Sequence, residues 1–259
     1  MRHIVHEVKF ANGAKGLFIN IPDATVMSFE YNFRAGEYLV TKNKFETPHL
    51  MEHMLLGANE LIPKAHDFKA EFEKNGAYCN ASTGTYDVIY EAECADFEWD
   101  RIESMMRLAI TRPLFLPEEF LAESGNVREE LVTRSNNHFR NLALALSKAY
   151  HLRVLTDQER LDRLQNVTLL DIKRHYKRTH TASNLRFVIA GKLPVSRRRK
   201  ISECIENIAL PKGEGRLALP EEHPVALKRP LNIKNDTVKN IYFYIDTYIL
   251  RQLRDEEMD

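Results

Sequence analysis

Apolar and polar positions alternate along Ile4 to Phe10 and again along Lys15 to Ile21, with Asn12-Gly13 between them. A period of two on either side of an Asn-Gly pair predicts a β-hairpin. Thr25 to Arg34 alternates too and reads as a third strand, closed by Ala35-Gly36. The period then changes. Leu50, Met51, Met54 and Leu55 cluster on one side of a helical wheel, with Thr47 before Pro48 as the expected N-cap and Gly57 as the expected stop. A second helix is expected from His66 to Lys74, ending at Asn75-Gly76, and Tyr78 to Ala92 reads as one strand. Phe97 to Thr111 is helical, and Pro117 opens a long helix whose apolar stripe continues through Leu142, Ala145, Leu146 and Ala149. Thr168 caps a helix running to Arg178, Asn184 to Gly191 is an apolar strand, and a last helix runs from Pro194 towards Leu210. Strands in runs, with helices available to cover one side, predict an α+β fold. It is expected as a mostly antiparallel sheet with helices packed on one face, rather than a doubly wound sheet.

Beyond residue 210 the texture changes. Pro211 to Pro230 is rich in Gly, Pro and charge and reads as a linker, and Asn240 to Ile245 reads as one more strand. Residues 1–210 are therefore expected as one domain. Residues 211–259 are expected as a linker with the first strand of a second domain.

Composition narrows the function classes. Hydrophobic residues make up 44% of 259, which suits a folded core in water. Cations and anions balance at 37 each, so no global charge recommends nucleic acid or an anionic membrane as partner. The run Arg197-Arg198-Arg199-Lys200 is a local exception, expected as a solvated helix face. No apolar stretch is long enough to span a bilayer, and residues 1–7 do not resemble a secretory signal. Cys79, Cys94 and Cys204 form neither a metal spacing nor an even disulfide set, which points to a reducing, cytoplasmic compartment.

One segment carries chemistry. His49-Leu50-Met51-Glu52-His53 places two imidazoles four residues apart on one helical face, with Glu52 beside them and the apolar side chains opposite. Catalytic zinc takes about three protein ligands and leaves a position for water, whose proton a neighbouring carboxylate can accept. The plain alternative is an ordinary helix on which two surface histidines and a glutamate fell together. His66, His138, His151, His175, His180 and His223 lack any such spacing and are expected at the surface or in hydrogen bonds.

Downstream, 76 residues separate His53 from Glu130, and Glu123 stands seven before Glu130, nearly two helical turns away on the same face. The H-x-x-E-H order, this spacing and the paired glutamates resemble the pitrilysin family of inverted zinc peptidases, which includes insulin-degrading enzyme and the mitochondrial processing peptidases. Asn80-Ala81-Ser82-Thr83 resembles the family's N-A-x-T segment, with Ser82 where an aromatic is common. The stretches Thr168 to Ile172 and Asn184 to Gly191 resemble the last helix and strand of its repeat unit.

The resemblance implies a fold that is one half of a two-domain peptidase, and one zinc ion held by His49, His53 and Glu130. It implies Glu52 as general base, Glu123 as the acid that orients the zinc shell, and Asn80, Ala81, Ser82 and Thr83 as contacts to an extended substrate. The expected function is a zinc-dependent endopeptidase acting on peptides or small polypeptides bound as an added edge strand. Family members pair two homologous halves or two subunits around the substrate, and the family's second half is missing here. Either the chain is a piece of a longer one, or a partner, homo- or hetero-oligomeric, completes the clamp. A non-catalytic subunit that binds peptides or a partner on the same scaffold is the alternative from another class.

Overall fold

The computed structural model describes residues 2–234 and 239–246. The chain forms two compact units, Met1–Val127 with Arg163–Leu219, and Arg128–Asp162 with Pro220–Asp259. The strands are β1 (Ile4–Lys9), β2 (Lys15–Asn20), β3 (Val26–Phe33), β4 (Tyr78–Thr83), β5 (Val88–Ala95) and β6 (Leu185–Gly191). All belong to the first unit and form a sheet of order β1-β2-β6-β3-β5-β4. Only β2 and β6 run parallel; every other pair is antiparallel.

Alternation in β3 explains how the sheet is covered. Met27, Phe29, Tyr31 and Phe33 are fully buried, whereas Ser28, Glu30 and Asn32 on the other face are half-buried. Val88, Tyr90 and Ala92 of β5 and Leu185, Phe187 and Ile189 of β6 continue the buried face. The helices of this unit supply the cover: α1 (Thr47–Leu55), α2 (Ala65–Glu73), α3 (Trp99–Thr111), α7 (Leu169–Thr179) and α8 (Val195–Glu206). Between them in sequence lie α4 (Pro117–Ser135), α5 (His138–Ala149) and α6 (Asp157–Leu164); α4 and α6 each run from one unit into the other. The polar outer face of the sheet holds a cleft of about 660 Å³ lined by Lys9, Lys15, Arg186 and Arg216 among others. The observed class is α+β, as the pattern predicts.

Three details place the site. Helix α1 packs against both β4 and α7. Strand β4 is an outer strand of the sheet, paired among the described residues only with β5. Helix α7 starts with a capping box in which Thr168 and Asp171 satisfy each other's backbone amides, as the sequence predicts for Thr168.

Several expectations need correction. Tyr78 to Ala92 is not one strand but the hairpin β4–β5, because Gly84 and Asp87 close a tight turn (Gly84 N to Asp87 O, 2.9 Å). The apolar stripe at Leu142–Ala149 belongs to a separate helix, α5, whose N-cap Asn137 accepts from the amide of Arg140. Residues 240–245 have strand-like alternation but, among the described residues, no strand partner, and they form no strand. Instead Tyr242 lies against His138 and Tyr244 against Phe139, with ring centroids 5.6 and 5.2 Å apart, inside the second unit. The charged stretch to Asp259 lies outside the described residues. The early part of the linker is pinned to the first unit: Pro211 and Lys212 accept from the amides of Ala182 and Ser183, and Arg216 reaches Asn32 and Asp87. The basic run also has partners. Arg197 pairs with Asp96 at 2.5 Å and Lys200 with Asp100 at 2.7 Å, and both cations stand over the Trp99 ring.

Candidate metal centre

Helix α1 is short and almost wholly buried, so its few polar side chains carry their meaning in their partners. Ligand atoms of His49, Glu52 and His53 lie within 4.8 Å of one another. The two imidazoles meet at their Nε2 atoms, 3.3 Å apart, with ring planes at 77°. Each ring is held from behind by a carboxylate: Nδ1 of His49 lies 3.0 Å from Oε2 of Glu46, and Nδ1 of His53 lies 2.9 Å from Oε2 of Glu123. An ionised carboxylate only accepts, so both rings donate through Nδ1–H and turn a bare Nε2 lone pair inwards.

That arrangement tests whether zinc fits. Two lone pairs facing each other repel unless a cation lies between them. Zinc–imidazole bonds of about 2.0–2.1 Å at a tetrahedral angle put two nitrogens roughly 3.3 Å apart, which matches the spacing here. The donor set therefore fits zinc.

Helix α4 contributes at two points one turn apart. Oε1 of Glu119 accepts from the amide of Ala58 at 3.0 Å, just beyond the end of α1, and Glu123 holds His53. Glu123 also accepts from Asn126 at 3.0 Å, and the His53 hydrogen bond is the main cause holding its carboxyl below the usual range. Burial is the largest cause pushing the Glu119 carboxyl up.

Strand β4 touches the same place. The hydroxyl of Thr83 donates to Oε2 of Glu52 at 3.1 Å. Asn80 is exposed and donates to Glu91 across the strand pair, while Ala81 and Ser82 pair with Tyr90 and Ile89. Glu130 lies on α4 seven residues after Glu123 but belongs to the second unit, where its Oε2 pairs with Arg134 at 2.7 Å.

One expectation about α1 itself differs. Thr47 is the first helical residue rather than the cap; the cap position is Glu46, which makes no side-chain cap bond. Glu46 had no signal in the sequence beyond standing three residues before His49, where an acidic residue reads as ordinary helix-start charge.

Among the other histidines, His175 and His180 are buried within the first unit. His175 Nε2 meets the carbonyl of Ala35 at 2.7 Å, and His180 is stacked between Phe33 and Tyr176.

The site is thus a helix bearing two paired histidines and a carboxylate, set beside the outer strand of the sheet. The family model for "Insulinase (Peptidase family M16)" matches residues 34–157, which hold α1, β4 and Glu123. That match covers a little under half of the chain.

Among solved structures it is similar to a protease from Helicobacter pylori (19% identity, TM-score 0.71, 86% of this chain and 54% of that one). It is also similar to a peptidase M16 inactive domain from Pseudomonas fluorescens (17%, 0.72, 86% and 54%). Pitrilysin is a third (18%, 0.73, 87% and 25%). At these identities the likeness is one of fold. The chain spans about half the length of the first two and a quarter of pitrilysin. No curated protein matches by sequence. One neighbour is described as inactive, so the fold alone does not carry activity.

Proposed function

We propose that this chain is the zinc-binding part of an M16 metalloendopeptidase, with His49, His53 and Glu130 as ligands and Glu52 as the group that moves the proton. The observation that carries this reading is the pair of Nε2 atoms 3.3 Å apart, each ring backed by a carboxylate, with Glu52 alongside. Zinc held there would acidify water to a pKa of about 7 and polarise a scissile carbonyl.

Glu52 takes the proton from the attacking water and returns it to the departing amine, and Thr83 keeps its carboxylate turned to the task. Glu123 holds His53 in the tautomer that leaves Nε2 bare. Glu130 would exchange or share its contact with Arg134 on becoming a ligand. An unfolded peptide is the substrate class, laid along the outer edge of β4, where backbone hydrogen bonding gives grip with little sequence demand. Asn80 and Ser82 project from that strand and are the first side chains such a peptide would meet. A second homologous domain or a partner chain closes over it. The three free thiols, Cys79, Cys94 and Cys204, support a reducing, cytoplasmic setting.

The test is Glu52→Gln. Metal analysis should find about one zinc per chain in both forms, and cleavage of an unfolded peptide by the assembled enzyme should fall at least 100-fold, on the order expected for loss of a general base. Cleavage retained by the variant would remove Glu52 from the mechanism, and a wild-type chain without zinc would remove the metal.

A further inference from the structure

We infer that Glu46 is a positioning residue for the metal centre, the carboxylate that sets the tautomer and orientation of His49; this rests on the zinc reading above. Three observations converge. The Glu46 side chain is 1% exposed and its Oε2 lies 3.0 Å from Nδ1 of His49, itself buried. Glu46 stands at the N-cap of α1, where a side chain would ordinarily accept from the helix's first free amides, yet it makes no such bond. The hydroxyl of Thr47, next in the chain, is buried without a partner among the described residues. The helix start thus forgoes its own cap so that a buried carboxylate can face an imidazole. Local rules broken in this way mark functional positions.

The chemistry follows from the contact. Accepting Nδ1–H leaves Nε2 of His49 bare and aims it at Nε2 of His53. The negative charge behind the ring makes Nε2 a better donor to a cation. The two histidines are served differently. His53 depends on α4 through Glu123, a contact 70 residues away in sequence, whereas His49 is oriented by a residue three positions earlier at the start of its own helix. The first ligand is therefore set locally, and the second only when α4 docks.

The experiment compares wild type, Glu46→Gln and Glu46→Ala on the full chain. Zinc affinity is measured by competition with a chromophoric chelator. The His49 tautomer is read in the metal-free protein from long-range proton–nitrogen correlations of the ring, and metal-free melting curves report the fold. Gln keeps an acceptor oxygen but not the charge, so it should keep the Nδ1–H tautomer and weaken zinc about tenfold; Ala should lose the tautomer and weaken zinc by up to about 100-fold. Unchanged affinity in Glu46→Gln overturns the inference. So does weaker binding by Glu46→Ala with the tautomer intact, which would mean packing alone. If Glu46→Ala does not fold, the Gln variant decides. A wild-type chain that takes up no zinc overturns the metal reading instead, and the tautomer comparison, made without metal, still decides the role of Glu46.

Discussion

The hydroxyl of Thr83 donates to Oε2 of Glu52 across 3.1 Å, tying the last residue of the outer strand β4 to the carboxylate beside the two histidines. On the function proposed above, this one hydrogen bond would join peptide grip to proton transfer. A bond to a charged group contributes about 1.5 kcal/mol or more, close to a factor of ten in rate when the charge acts in the transition state. Thr83→Val should lower kcat about tenfold with zinc content and KM little changed, and Thr83→Ser should restore most of it. Steady-state kinetics on an unfolded peptide measure this. A wild-type kcat in Thr83→Val would detach the strand from the chemistry.

Glu123 predicts a different phenotype. It holds His53 from outside, so its removal should loosen the proposed ligand His53 and leave the proposed base Glu52 in place. Glu123→Ala should weaken zinc by about 10–100-fold, and excess zinc should recover activity that Glu52→Gln can never recover. Titration of activity with zinc separates the two variants. Failure of zinc to rescue Glu123→Ala would give Glu123 a role in the chemical step itself.

Zinc should also stabilise the fold. A ligand bound only by the native state adds about 2.7 kcal/mol at 100 times its dissociation constant. Melting temperature should rise with added zinc in wild type and in Glu52→Gln, and should not move in His49→Ala/His53→Ala. Equal shifts in all three would place the metal elsewhere on the chain.

The parts that were legible in the sequence are those set by short-range periodicity. Spacing of four put His49 and His53 on one face, and the alternation of β3 fixed which side of the sheet is buried. What escaped needed knowledge of partners. Gly84 to Asp87 turns the chain without interrupting the β-like run, so β4 and β5 read as one strand. Tyr242 and Tyr244 alternate as a strand does, but a strand needs a neighbour on the sheet, and these rings rest on α5 instead. Nothing in the sequence separates Glu46 and Glu119 from common helix-start acids. Only the packing of α1 against its surroundings reveals that one faces His49 and the other holds Ala58. Thr47 looked like the better cap because capping preference is local, whereas the diversion of Glu46 to a ring is specific to this site.

Close approach makes Gly36 a stability test linked to the site. Its φ of −75° suits any residue, but a Cβ there would lie 2.5 Å from the carbonyl oxygen of Gly84 and 2.5 Å from the carbonyl carbon of Tyr86. Both contacts are backbone atoms of the turn that joins β4 to β5, so no side chain can move aside. Gly36→Ala should destabilise by roughly 1–3 kcal/mol, as overpacking does, and should lower kcat by displacing Thr83. Urea unfolding measures the first effect. A midpoint equal to wild type would mean the turn shifts freely.

Acid should unfold this protein earlier than its carboxylates alone require, because two buried histidines are held neutral. Burial, the largest cause, lowers the pKa of His175 to about 4 against the Ala35 carbonyl, with Arg178 adding to it, and burial holds His180 lower still among Phe33, Tyr90 and Tyr176. An unfolded histidine titrates near 6.5. Between pH 6.5 and about 4 the unfolded chain therefore binds a proton at position 175 that the folded chain refuses, so stability rises with pH across that window and falls as the medium is acidified. From pH 7 to pH 5 the loss from His175 comes to about 2 kcal/mol, and His180 adds in the same direction. His175→Gln can still donate to the Ala35 carbonyl but cannot titrate, so the difference between urea unfolding at pH 7 and pH 5 should shrink by about that amount in the variant. An unchanged difference would mean that position 175 is already protonated in the folded protein at pH 5.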